Sequence, residues 1–133
     1  MNILFFLIPK KEVEYVYDTF TIRQTMEKMD FHHYTAIPII NKEGEYVGTI
    51  SDGDILRFLK NNNLDWELTM KVQISSVEHF KQVKPISIDK DISDLIPLII
   101  NQNFVPLVDD ENHFIGIITR KTIINYISKY IKE

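Results

Sequence analysis

Apolar runs and polar joins follow one another in the same order in two stretches of the chain. Residues 36–56, AIPIINKEGEYVGTISDGDIL, align without gaps with residues 104–124, FVPLVDDENHFIGIITRKTII. Each stretch contains two apolar runs separated by a join that carries acidic, asparagine or glycine residues, which favour a β-hairpin. Such self-similarity indicates that one structural unit occurs twice.

The segments that flank each hairpin complete the predicted unit. A β-branched run precedes each hairpin and predicts a first strand. A helix follows that strand, with Thr21 or Asp91 as its N-cap, and in the second copy Pro97 predicts a kink or a late start. The first strands are expected at 13–17 and 83–88, and the closing helices at 54–62 and 121–131. The predicted fold class is therefore α/β (α+β), with the order strand, helix, strand, strand, helix in each repeat.

The same comparison sets the expected domain boundaries. Residues 1–62 form repeat 1 with an N-terminal arm, 63–82 a connector with one turn or helix of its own, and 83–133 repeat 2. The apolar run Ile3 to Ile8 is too short to span a bilayer. No positive residue precedes it, which disfavours a signal peptide, so we expect a buried strand or a packing arm.

Composition narrows the possible functions. The chain has 133 residues, the usual size of one domain, and no cysteine, which excludes disulfides, thiolate zinc sites and cysteine nucleophiles. The formal net charge is −4, which argues against broad nucleic-acid binding. We expect a cytoplasmic protein that binds neither nucleic acid nor membrane.

The segment GTISDGD, residues 48–54, permits two interpretations. Ser51 and Asp54 have the spacing of a capping box at the start of a helix. A hydroxyl and backbone N–H groups at a helix start also form a ready-made phosphate site, and the Asp54 carboxylate would suit the hydroxyls of a ribose. Thr119 repeats the hydroxyl in the second copy. The residues alone leave both interpretations open.

These motifs resemble a tandem pair of cystathionine β-synthase (CBS) domains, known as a Bateman module. The family motif is glycine, two apolar residues, Ser or Thr, two variable positions, and Asp or Asn. Gly48, Ile50, Ser51 and Asp54 match it, whereas the second copy carries Thr122 in place of the acid. The resemblance implies two β-α-β-β-α repeats packed around a pseudo-twofold axis, with two equivalent clefts.

The resemblance also implies ligands and site residues. Family ligands usually contain adenosine: AMP, ADP, ATP, S-adenosylmethionine or signalling dinucleotides. In the family pattern the aspartate holds the ribose, the Ser or Thr contacts phosphate, and residues near the strand proline of the other repeat line the base pocket. The residues implied for the main cleft are Ile50, Ser51, Asp52, Asp54, Asn103, Phe104 and Pro106. Those implied for a second cleft are Thr35, Ala36, Pro38, Thr119, Arg120 and Thr122.

The threonine at position 122 predicts that the two clefts differ in affinity. A carboxylate can accept two charge-assisted hydrogen bonds from a ribose, whereas a threonine hydroxyl offers one neutral bond. The difference corresponds to roughly ten- to hundredfold in affinity. We expect one competent cleft at Asp54 and a second that is weak or vacant, where Arg120 is either a source of phosphate-binding charge or a solvated first-turn arginine.

No other motif in the sequence strongly indicates metal binding or catalysis. The adjacent His32 and His33 point in different directions on a helix end and lack carboxylate partners for a metal. Asp52-Gly53-Asp54 lacks the remaining ligands of a calcium loop. No nucleophile elbow or glycine-rich phosphate loop is present. The sequence therefore predicts no metal site, no required cofactor and no enzyme activity.

The favoured function is a stand-alone regulatory module that senses an adenosine-containing nucleotide without catalysis. The alternative is a ligand-free module for protein interaction or dimerisation, in which Ser51 and Asp54 only cap a helix. The resemblance implies a homodimer, and a regulatory role implies a regulated protein that the chain does not identify.

Overall fold

The computed structural model describes residues 1–78 and 83–131. The chain divides into two compact units. The first-repeat unit is Glu14–Gln82, and the second-repeat unit combines the arm Met1–Val13 with Val83–Glu133. The residues that precede the first repeat thus pack with the second.

The arm begins with a short 3-10 helix, Ile3–Phe6, and continues into strand β1, Ile8–Pro9. Asn2 caps the helix by accepting a hydrogen bond from the Leu4 N–H at 2.7 Å. Ile3 and Phe6 are buried. The expectation of a packing arm is confirmed, although most of the apolar run is 3-10 helix rather than strand.

The first-repeat unit has the predicted order of elements. They are β2 (Val16–Tyr17), α1 (Ile22–His32), β3 (Ala36–Ile40), β4 (Tyr46–Ser51) and α2 (Asp52–Asn61). Thr21 caps α1 in a reciprocal pair with Gln24, and His33 ends the helix in the left-handed conformation, with φ of 59°. The first strand is shorter than predicted, because only its last two residues pair with β3.

The second-repeat unit repeats this order. Its elements are β5 (Ile86–Ser87), α3 (Ile92–Ile99), β6 (Phe104–Val108), β7 (Phe114–Thr119) and α4 (Arg120–Ile131). Helix α3 begins directly after its cap Asp91, so of the two alternatives predicted for Pro97 the late start is wrong, and the kink stays a prediction. The helix instead ends two residues after Pro97, and has 8 residues against the 11 of α1. Pro97 lacks the N–H that would donate to the Ser93 carbonyl, but helical bonding continues beyond it, because the Ile100 N–H donates to the Ile96 carbonyl at 3.2 Å.

Each unit forms its own sheet and core. In the first-repeat unit the sheet order is β2-β3-β4, with β2 parallel and β4 antiparallel to β3. In the second-repeat unit the order is β1-β7-β6-β5, so the arm adds an edge strand. The first core contains Val16, Ile22, Met29, Ile37, Ile39, Ile50, Ile55, Ile74 and Val77. The second contains Ile3, Phe6, Ile86, Leu95, Ile99, Val105, Leu107, Ile118 and Ile123.

The connector packs against the first repeat over its described part. It contains two 3-10 helices, Glu67–Met70 and Ile74–Ser76, where one turn or helix was predicted. The Ile74 N–H donates to the Phe20 carbonyl at 2.7 Å, and Ile74 and Val77 enter the core. The connector's last residues, 79–82, lie outside the described residues. Across 1–78 and 83–131, no helix has the length and apolar character needed to cross a membrane.

Candidate functional site

Ser51 and Asp54 form a reciprocal cap where β4 runs directly into α2. The Ser51 hydroxyl accepts a hydrogen bond from the Asp54 N–H at 3.1 Å, and Asp54 Oδ2 accepts one from the Ser51 N–H at 3.0 Å. Both donors would otherwise lack partners at a helix start. The capping interpretation of GTISDGD is therefore confirmed, and it fixes the position of the Asp54 carboxylate.

The Asp54 side chain is buried, with 4% of its surface exposed. Its second oxygen, Oδ1, accepts a hydrogen bond from Nη2 of Arg57 at 2.9 Å. Arg57 lies one helical turn further along α2, and its side chain is 47% exposed. A carboxylate removed from water is costly unless it is paired and hydrogen-bonded, and the cap and the guanidinium meet that need.

This ion pair lines a cavity of about 480 Å³ in the first-repeat unit. Helix α2 forms one wall, and residues of the connector form another. The lining residues are Asp54, Arg57, Phe58, Asn61, Asn62, Ser76 and Glu78. Most of these side chains can donate or accept hydrogen bonds, so the cavity suits a polar ligand with hydroxyl groups.

Gly53 provides the space that the Arg57 guanidinium occupies. A Cβ atom added at position 53 would lie 3.3 Å from Nη1 of Arg57, closer than most real contacts. The guanidinium therefore lies over the first turn of α2. In the second repeat the positions equivalent to Gly53 and Arg57 are Lys121 and Asn125, and this arrangement is absent there.

The second helix start is built on hydroxyls alone. The Thr119 hydroxyl accepts a hydrogen bond from the Thr122 N–H at 3.1 Å, and the two threonine hydroxyls lie 2.8 Å apart. Thr122 therefore takes the place of the acid by pairing with the capping residue. A cavity of about 430 Å³ adjoins this helix start. It is lined by Asn103, Thr119, Arg120, Lys121, Ile124 and Asn125.

Arg120 has a structural role within the second-repeat unit. Its Nε donates to the Ile99 carbonyl at 2.9 Å, and its Nη2 donates to the Ile100 carbonyl at 3.1 Å. These carbonyls lie at the C-terminal end of α3, where a cation is favourable. Binding a phosphate through the same nitrogen atoms would require Arg120 to give up these hydrogen bonds.

The residues before each strand proline lie beside the helix start of their own repeat. Ala36 pairs with Ser51 across the hairpin, and the Asp52 N–H donates to the Thr35 carbonyl at 2.9 Å. The second repeat has the matching contacts: Phe104 pairs with Thr119, and the Arg120 N–H donates to the Asn103 carbonyl at 2.8 Å. The predicted assignment of these residues to the cleft of the opposite repeat stays a prediction.

The remaining predicted residues lie in different surroundings. Ile50, Pro38 and Pro106 are buried, so their side chains belong to the unit interiors. Asp52 is exposed and lines a second cavity, of about 340 Å³, together with Met26 and Leu56 of the helices. It does not line the Asp54 cavity.

The sequence pattern did not indicate Arg57, Ser76 or Glu78 as site residues. The repeat alignment held a signal for Arg57, because Asp54 and Arg57 are replaced together by Thr122 and Asn125. Nothing in the repeat pattern indicated Ser76 and Glu78, which come from the connector. Within residues 1–78 and 83–131, no three His, Asp or Glu side chains are grouped as a metal site would require. His32 instead lies 3.0 Å from Glu14.

The fold and the two helix starts define a protein built from two copies of a β-α-β-β-α unit. The family model "CBS domain" matches residues 7–61 and 75–129. The chain therefore belongs to the CBS-domain family and contains the domain twice. The family resemblance and the fold class predicted from the sequence are both confirmed.

Solved structures share this fold over almost the whole chain. A crystal structure of CbpB in complex with c-di-AMP has a TM-score of 0.90 and 29% sequence identity, covering 98% of this chain and 87% of that one. A CBS domain protein from Streptococcus pneumoniae TIGR4 has a TM-score of 0.89 and 28% identity, with coverage of 98% and 88%.

Relatives found by sequence match a smaller part of this chain or are longer proteins of which the chain spans only a part. An uncharacterized protein of Methanocaldococcus jannaschii, MJ1426, is 28% identical, covering 65% of this chain and 69% of that protein. The chain spans between 16% and 57% of three further relatives that it matches.

Proposed function

We propose that this protein is a regulatory module that binds an adenosine-containing nucleotide at the Asp54 cavity, without catalysis. The ribose hydroxyls bind the Asp54 carboxylate, and a phosphate lies near Ser51 at the start of α2. The ligand belongs to the class of AMP, ADP, ATP, S-adenosylmethionine or an adenine dinucleotide.

One observation carries the proposal: the Asp54 carboxylate is buried and is also part of a polar cavity wall. A solvated N-cap would stabilise the helix equally well without being buried, so the burial needs another reason. Ribose recognition supplies one, because a desolvated carboxylate forms strong hydrogen bonds to hydroxyl groups. The complex of CbpB with c-di-AMP, at 29% identity, supports an adenine nucleotide as the ligand.

We further propose that the module acts as a homodimer. Phe31 and Leu56, on α1 and α2, are 79% and 67% exposed. The cavity of about 340 Å³ between these helices is lined partly by Met26, Met29 and Leu59. Exposed apolar surface of this kind is typical of a protein-protein contact. The same observation favours the second candidate function, a dimerisation module that binds no ligand.

Thermal unfolding with added ligands separates the two functions. AMP, ADP, ATP, S-adenosylmethionine and cyclic di-AMP are added in turn while the melting temperature is recorded. At least one is expected to raise it, because a ligand that binds only the folded state stabilises that state. In Asp54→Ala the rise should disappear or need roughly ten- to hundredfold more ligand, since the ribose loses its charged acceptor.

Thr122→Ala is the matched control, because Thr122 occupies the equivalent position in the second repeat. This variant is expected to keep the wild-type response. The proposal fails if none of the five ligands shifts the melting temperature at millimolar concentration, or if Asp54→Ala responds as the wild type does.

A further inference from the structure

We propose that two copies of this chain associate head to tail, so that a helical face of the first-repeat unit in one copy meets a helical face of the second-repeat unit in the other. This inference rests on the homodimer of the proposed function and adds which surfaces meet. It does not depend on nucleotide binding.

The first-repeat unit exposes an apolar helical surface that carries negative charge, here called the acidic face. Its cavity, of about 340 Å³, is lined by Asp30, Asp52 and apolar side chains that include the exposed Leu56. Within residues 1–78 and 83–131, its lining includes no cation, and Lys60 lies one turn beyond Leu56 near the end of α2. Exposed apolar surface favours a protein partner, and the carboxylates favour a partner with positive charge.

The second-repeat unit exposes a surface of the opposite charge, here called the basic face. The cavity of about 430 Å³ at the start of α4 is lined by Arg120, Lys121 and the exposed Ile124, and by no carboxylate among the described residues. Arg120 donates to two backbone carbonyls, which are neutral, so its positive charge is not cancelled by these bonds. From Arg120 to Ile131, α4 contains no Asp or Glu. This face therefore matches the acidic face in charge.

The repeat alignment shows that the charge is reversed at equivalent positions while the apolar character is kept. Leu56 aligns with Ile124, and Asp52 aligns with Arg120. Two acidic faces in contact would bring carboxylates together, and two basic faces would bring cations together, which is unfavourable in both cases. Contact between an acidic and a basic face instead pairs opposite charges and buries apolar surface from both. In a dimer with twofold symmetry the same contact occurs twice.

Charge reversal tests the pairing in the full chain, with the dimer dissociation constant measured by sedimentation equilibrium. Asp30→Lys and Lys121→Glu are each expected to raise it about tenfold or more, because like charges then meet across both contacts. The double variant, with both substitutions in one chain, is expected to return to within about threefold of the wild type, because the two charges have exchanged places.

Both substitutions suit the helices that carry them, which guards against a folding defect. Position 30 lies in the last turn of α1 and position 121 in the first turn of α4. A cation is favourable at the end of a helix and an anion at its start. Thermal unfolding should therefore show that each single variant is folded.

Cross-linking tests the same contact without changing any charge. The chain has no cysteine, so Leu56→Cys and Ile124→Cys each introduce a single thiol. The two variants are treated with a short bifunctional thiol reagent, separately and as an equal mixture. We expect a covalent dimer on a denaturing gel from the mixture and little from either variant alone, because the head-to-tail contact brings position 56 of one copy to position 124 of the other.

The outcomes separate this inference from the proposals on which it rests. If the wild type is monomeric, the proposed homodimer fails and this inference fails with it, whereas nucleotide binding is judged by its own experiment. If the wild type is a dimer, but the single reversals leave it unchanged or the double variant stays as weak as they are, the inference alone is overturned. It is also overturned if the mixture gives no cross-link, or if Leu56→Cys links to itself as efficiently as in the mixture.

Discussion

Asp54 and Thr122 occupy equivalent positions, yet they satisfy their helix starts in different ways. Asp54 bonds the N-cap backbone and Arg57, whereas Thr122 bonds the hydroxyl of its own capping residue. The sequence predicted this asymmetry because both residues belong to a recurring motif. It did not reveal the burial of Asp54, which depends on tertiary packing, and it did not reveal the ion pair, although Asp54 and Arg57 lie one helical turn apart.

Tyr46 provides a residue-scale test of the first-repeat core. Its side chain is buried and its hydroxyl lies 2.7 Å from that of Thr49. Burial raises the pKa of Tyr46 to about 12 from an ordinary value of 10.0, against a smaller lowering by the Thr49 hydrogen bond. The folded state therefore keeps its proton to a higher pH than the unfolded state does.

The sign of the pH dependence follows from that raised pKa. The stability contributed by neutral Tyr46 is fully present below pH 10 and is lost as the pH rises towards 12. We expect the free energy of unfolding to fall by about 2–3 kcal/mol across this range because of Tyr46. Urea unfolding at several pH values measures this fall in the free energy of unfolding. The Tyr46→Phe variant should lack this part of the pH dependence, whereas the control Tyr34→Phe should retain it. The same pH dependence in Tyr46→Phe and in the wild type would contradict the account.

At the scale of elements, the hairpins were predicted most accurately. β3, β4, β6 and β7 coincide with the apolar runs, because short apolar runs bounded by a polar turn are local properties of the sequence. The first strands were predicted too long. Their β-branched residues favour extended backbone, but hydrogen bonding to the neighbouring strand extends over only two residues in each repeat. Such pairing is a tertiary property that local pattern does not encode.

The arm covers the edge of strand β7, a contact that the sequence pattern could not predict. Pro9 pairs with Gly116 at the edge of β7, and Gly116 has φ of +153°. A Cβ atom at Gly116 would lie 2.2 Å from the Ile8 carbonyl oxygen and 2.7 Å from Leu7 Cδ1. The glycine of the motif therefore permits the close approach of a segment more than 100 residues earlier in the chain.

Gly116→Ala tests this contact. We expect the substitution to lower the free energy of unfolding by about 2 kcal/mol or more, because the arm must shift and the backbone is strained. Chemical denaturation measures the change. Gly53→Ala is the control, since its new methyl group would meet only the flexible end of Arg57 at 3.3 Å. Equal losses in the two variants would show that the arm does not depend on Gly116.

At the scale of the whole molecule, the sequence predicted the duplication, but it predicted only part of the division into two compact units. The two repeats were identified from their aligned hairpins, and the family model matches both. The arm, however, precedes the first repeat in the chain and packs with the second. The two repeats have unequal helix starts, and under the proposed function the one at Asp54 binds the ligand tightly whereas the one at Thr122 does not.

Native mass spectrometry tests the central claim that one of the two helix starts binds a nucleotide. The purified protein is measured alone, with AMP and with cyclic di-AMP, and the masses report ligand number and assembly state together. We predict a dimer in which each chain binds one AMP, with the second helix start occupied only at roughly ten- to hundredfold higher concentration. Two AMP molecules bound per chain with equal affinity would contradict the account, and so would the absence of any bound nucleotide with both ligands at millimolar concentration.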